Sequence, residues 1–110
     1  MENQLFESLV RSVQSAGKLS SRQKADVANL LQLLDRNFGA LKETDPEAAQ
    51  SISNFLTSAI FESTRRERTS KLADVARKGM LLAFHPYEET HPDLVNTAYD
   101  LGNVLSALGL

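Results

Sequence analysis

The chain has 110 residues, with 12 Lys+Arg against 14 Asp+Glu, two His, no Cys and no Trp, for a formal charge of −2. Its 42% hydrophobic and 24% charged content is ordinary for a globular protein and excludes collagen-like, low-complexity and largely disordered classes. A single domain over 1–110 is expected at this length, and the lack of Cys removes disulfides, Fe–S clusters, thiolate zinc sites and thiol nucleophiles.

Apolar residues recur at helical spacing throughout, and no Asn-Gly or Asp-Gly hairpin turn interrupts them. The expected fold is an all-α bundle of four or five helices. The first helix is expected over roughly 2–16, with Leu5, Leu9, Val13 and Ala16 as its main row, Phe6 and Val10 beside it, and Gly17 suited to a left-handed cap. The second runs over about 21–38. Ser20 and Gln23 form a capping box, Val27, Leu30, Leu31, Leu33, Leu34 and Phe38 give a wide apolar face, and Gly39 can end it. That places a turn of about seven residues before the third helix.

The third helix has the clearest start in the chain: Asp45 to cap, Pro46 at the first helical position, Glu47 at the positive end of the dipole. Ala49, Ile52, Leu56 and Ala59 follow at steps of three, four and three. The polar stretch STRRERTS at 63–70 predicts a break, with Thr69 or Ser70 capping the next helix; one continuous helix over 46–84 is the alternative. The fourth helix, 70–84, carries Leu72, Val75, Ala76, Gly79, Met80, Leu82 and Phe84 on broad faces, and its apolar end MLLAF is expected to be buried. Pro86 stops it near His85. In the fifth, Thr90 or His91 caps, Pro92 begins, and Leu94, Ala98, Leu101, Leu105 and Leu108 form a 3.5-residue seam. Gly79 and Gly102 sit inside helices, where a close helix crossing would explain them.

Three constellations bear on function. His85, Glu88 and His91 lie in the segment HPYEETH, where imidazole and carboxylate could ligate a divalent metal. The two His are six apart, however, and each precedes a Pro, unlike the i,i+4 pair of a helical site. Residues 65–78 hold Arg65, Arg66, Arg68, Lys71, Arg77 and Lys78 against two carboxylates, while residues 79–110 have four acids and no Lys or Arg. Such a basic segment could meet phosphate backbones, or pair with acidic surface within one chain or across a dimer. The apolar rows on the first and fifth helices are either internal core or a surface for a partner helix.

No nucleophile elbow, P-loop or dinucleotide fingerprint occurs. Nothing in the sequence points to catalysis, a catalytic residue or a cofactor. No apolar run approaches the ~20 residues of a membrane span, and the acidic start MENQLFE is unlike a secretory leader, so the cytoplasm is the expected location.

The closing stretch, from Glu89-Thr90-His91-Pro92-Asp93-Leu94 to Leu105-Ser106-Ala107-Leu108-Gly109-Leu110, resembles the end of a family of short, uncharacterised bacterial all-helical proteins; the resemblance implies an all-helical fold and no activity or site. Leu5-Phe6-Glu7-Ser8-Leu9 through Gly17 resembles the leader helix of some bacterial antitoxins, although no helix-turn-helix spacing follows it. The expected function is a small, non-enzymatic interaction module that binds protein and self-associates, with Leu5, Leu9, Val13, Leu101, Leu105 and Leu108 supplying contact area and Arg65, Arg66 and Arg68 selecting the partner by charge. The alternatives are a nucleic-acid-associated regulator using residues 65–78 and a metal-binding loop at 85–91.

Overall fold

The structure, a computed structural model, describes residues 4–108. The described residues form five helices, α1 (Gln4–Gln14), α2 (Ser21–Thr44), α3 (Pro46–Thr64), α4 (Ser70–Phe84) and α5 (Pro92–Ala107), with a 3₁₀ turn at His85–Tyr87. The all-α expectation holds, and no strand occurs among the described residues.

α1 buries Phe6, Leu9 and Val13, with the Phe6 ring edge-on to Phe38 of α2 at 5.4 Å between centroids. It stops at Gln14, short of Ala16, and Gly17 has no positive φ, so the expected left-handed cap is absent. The helix end is satisfied by other means. Lys24 Nζ of α2 donates to the Gln14 carbonyl at 2.9 Å, placing a cation where the helix dipole is negative.

α2 starts at the expected capping box: the Gln23 amide donates to Ser20 Oγ at 3.1 Å, and the Ser20 amide donates to Gln23 Oε1 at 2.9 Å. It then runs through Gly39 to Thr44, correcting the expected end at 38. Continuing buries Leu41 one turn beyond Phe38, which offsets the ~1 kcal/mol disadvantage of a helical glycine. The seven-residue turn therefore contracts to one residue. Asp45 ends α2 through its amide, which donates to the Leu41 carbonyl at 2.8 Å, and starts α3 through Oδ1, which accepts from the Ala48 amide at 3.0 Å.

The expected break follows α3, between Arg65 and Thr69. Thr69 is the N-cap of α4 by position, yet its hydroxyl makes no capping bond. α4 buries Ala73, Met80 and Phe84. The α-helical ladder ends at Phe84 as Pro86 demands, but His85 keeps helical geometry and the chain tightens into the 3₁₀ turn, where the missing Pro amide needs no partner. α5 buries Leu94, Val95, Ala98, Leu101, Gly102 and Leu105.

One core joins all five helices. α3 packs chiefly on α4, and α2 is flanked by α1, α3 and α5. The glycines serve two separate contacts: a Cβ on Gly79 would stand 3.0 Å from Phe55 Cδ1 of α3, and one on Gly102 would stand 3.2 Å from Leu81 Cδ2 of α4. Gly39 differs, since a Cβ there meets nothing within 4 Å. Gly39→Ala is thus expected to stabilise the fold by about 0.5–1 kcal/mol, whereas Gly102→Leu overpacks a buried contact and costs about 1–3 kcal/mol. Urea denaturation followed by circular dichroism measures both; equal effects of the two substitutions would contradict this assignment.

Candidate interaction surface

The apolar seams singled out on the first and fifth helices lie inside the molecule. Leu9, Val13, Leu101 and Leu105 are buried in the chain's own core, while Leu5 and Leu108 are half-buried against its edge. This resolves the ambiguity between core and surface in favour of core for those rows, because α1 and α5 both face α2.

The basic segment is partly neutralised by its own neighbours. Arg65 Nη1 is 3.0 Å from Glu62 Oε1, and its guanidinium sits 5.6 Å from the centre of the Phe61 ring. Arg77 Nη2 donates to Asp74 Oδ1 at 3.0 Å. That hydrogen bond, with smaller contributions from the charges of Arg77, Lys78 and Arg68, holds the Asp74 carboxyl below its ordinary range. Arg68 reaches Ser70 Oγ at 3.4 Å. Arg66 is exposed and joins Arg65 and Lys18 along an open cleft of about 680 Å³ between the ends of α1 and α3.

The His85–His91 segment does not gather into a metal site. No group of three or more His, Asp or Glu side chains is placed to hold a metal ion among the described residues. Thr90 Oγ1 and His91 Nδ1 are 3.0 Å apart, and His85 Nδ1 lies 3.2 Å from the Tyr99 hydroxyl. The Tyr99 hydroxyl donates to Glu88 Oε2 at 2.9 Å, so the segment is tied to α5 by side-chain hydrogen bonds.

The surface that sequence reasoning missed is on α4. Leu72, Val75 and Leu82 are 49%, 62% and 72% exposed, and Phe55 of α3, 44% exposed, leans over Gly79 between them. The expectation that MLLAF is buried fails at Leu82, since only Met80 and Phe84 of that run are fully enclosed. At ~100° per residue the row Leu72–Val75–Gly79–Leu82 lies roughly 140° around the helix from the buried row Ala73–Met80–Phe84. Two apolar rows on one helix were visible in the spacing. Beyond Leu82 the row runs into a cleft of about 380 Å³ whose lining includes Ile52, Pro86 and Tyr87, with Asp45 and Glu47 at its side.

Comparison with protein-family models, curated proteins and solved structures gives no match in any of the three.

The Glu88 hydrogen bond, reinforced by burial and the Glu88 charge, raises the Tyr99 pKa above its ordinary 10.0. A raised pKa means that the stabilisation is fully present below the unfolded value and is lost as pH climbs through the folded one. In a Tyr87→Phe protein, leaving Tyr99 as the sole tyrosine, tyrosinate absorbance is expected to reach its midpoint above pH 10. Adding Glu88→Ala should bring that midpoint down; no movement would show that the hydrogen bond is not formed in solution.

Proposed function

We propose that this chain is a small, non-enzymatic protein–protein interaction module of the cytoplasm that associates with itself. The supporting observation is the exposed row Leu72–Val75–Leu82 with Phe55, apolar area left over after the core is complete. Such a row is costly to keep in water, and contiguous exposed apolar surface on a small protein marks interaction sites. The row is assigned to a protein partner; no helix among the described residues is long and apolar enough to cross a membrane. The contact area moves from the first and fifth helices to α4, while Arg65, Arg66 and Arg68 keep their proposed role of selecting a partner by charge.

A nucleic-acid-associated role is the second reading, favoured by the convergence of Lys18, Arg65 and Arg66 on one cleft. Salt separates the two. Phosphate contacts weaken steeply as salt rises, whereas apolar contacts do not. Light scattering over a dilution series is expected to give twice the 12.1 kDa chain mass at high concentration, with little change between 0.05 and 0.5 M salt (roughly the range over which phosphate binding collapses). A chain that stays monomeric but binds labelled DNA with steep salt dependence would replace the first reading by the second.

A further inference from the structure

Resting on the reading of self-association, we infer that two copies pair through α4 in antiparallel, two-fold fashion, with the axis at the level of residue 77. The exposed row has a symmetric spacing: Leu72, Val75, Gly79 and Leu82 follow at steps of three, four and three. Turned end for end about position 77, the row maps onto itself. Leu72 then lies opposite the second copy's position 82, and Val75 opposite its position 79. A two-fold interface requires this kind of self-complementarity, because the same patch must serve both sides.

The exposed side chains agree with this spacing. Gly79 has no side chain of its own, and the half-exposed Phe55 ring of α3 lies over it where a Cβ would stand, so Phe55 supplies the apolar surface at this place in the row. Val75, one turn away, is 62% exposed. Antiparallel pairing sets each Val75 against the second copy's Phe55, apolar against apolar. Parallel pairing would set Val75 against Val75 and Phe55 against Phe55.

Charge selects the same direction. The Leu72 end carries Arg65, Arg66, Arg68 and Lys71 against Glu67, Asp74 and Glu62, the last of which pairs with Arg65, and so stays net basic. At the Leu82 end, Asp45 and Glu47 share a cleft with Leu82, and Glu88 and Glu89 follow the 3₁₀ turn. Antiparallel pairing brings each basic end to an acidic one, whereas parallel pairing would join like charges. Val75 and Gly79 lie near the centre, where a small two-fold interface is best shielded from water.

The chain has no cysteine, so introduced thiols report the register without interference. From Leu72 to Leu82 the helix rises ~15 Å, so in the antiparallel pair two copies of position 72 are held about that far apart, beyond the ~7 Å between Cα atoms that a disulfide spans. Leu72→Cys and Leu82→Cys proteins, each checked for native helical circular dichroism, are oxidised mildly alone and mixed. The mixture is expected to yield the 72–82 cross-linked dimer, while neither protein alone cross-links efficiently. Val75→Lys, at an exposed position, should keep the wild-type melting curve at low concentration and weaken dimerisation at least tenfold. Wild-type dimers with cross-linking of Leu72→Cys to itself, or with no cross-linking and an unaffected Val75→Lys protein, would overturn the α4 pairing while leaving self-association standing. A wild-type chain that is monomeric at millimolar concentration would overturn both.

Discussion

The architecture turns on one residue that belongs to two helices. Asp45 closes α2 with its backbone amide and opens α3 with its carboxylate, and Pro46 begins the new helix where an amide donor is not needed. Without a loop to absorb error, the direction of α3 relative to α2 is set by local chemistry. α2, at 24 residues and ~36 Å, matches the 37 Å length of the molecule and acts as its spine. The other helices take positions from these two: α1 and α5 on α2, and α4 chiefly on α3.

That arrangement explains which apolar rows are internal. A helix touching only one or two neighbours can bury only one side. α2 has three neighbours and uses its wide stripe, including Leu31, Leu34 and Leu41, in the core. α4 leans on α3 and α5, which enclose Ala73, Met80 and Phe84 but leave the opposite row in water. The surplus of apolar area therefore falls on the hairpin of α3 and α4 instead of on the first and fifth helices.

Helix starts were legible in the sequence because they rest on short-range chemistry. Ser20 with Gln23, Asp45 with Pro46, and Pro92 each mark a start seen in the structure. Stops were harder to find. Gly39 looks like an end and is an interior residue, because the burial of Leu41 outweighs a local preference of ~1 kcal/mol. Gly17 looks like a left-handed cap, whereas Lys24 from the next helix serves that end. Periodicity identified nearly every apolar row, but it could not say which rows have neighbours. Leu101 and Leu105 became core while Val75 and Leu82, at similar spacing, remained exposed. That difference depends on the packing of distant segments, which no single window of sequence contains.

The order of packing also bears on how the chain reaches this state. Most partners are consecutive: α1 on α2, α2 on α3, α3 on α4, α4 on α5. The large exception is α5 on α2, which joins the last helix to the second across the intervening pair. Local contacts form quickly, whereas distant ones wait for loop closure and its entropy. Docking of the final helix onto the spine therefore closes the longest loop among the bundle's main contacts, and it carries the largest entropic cost of assembly.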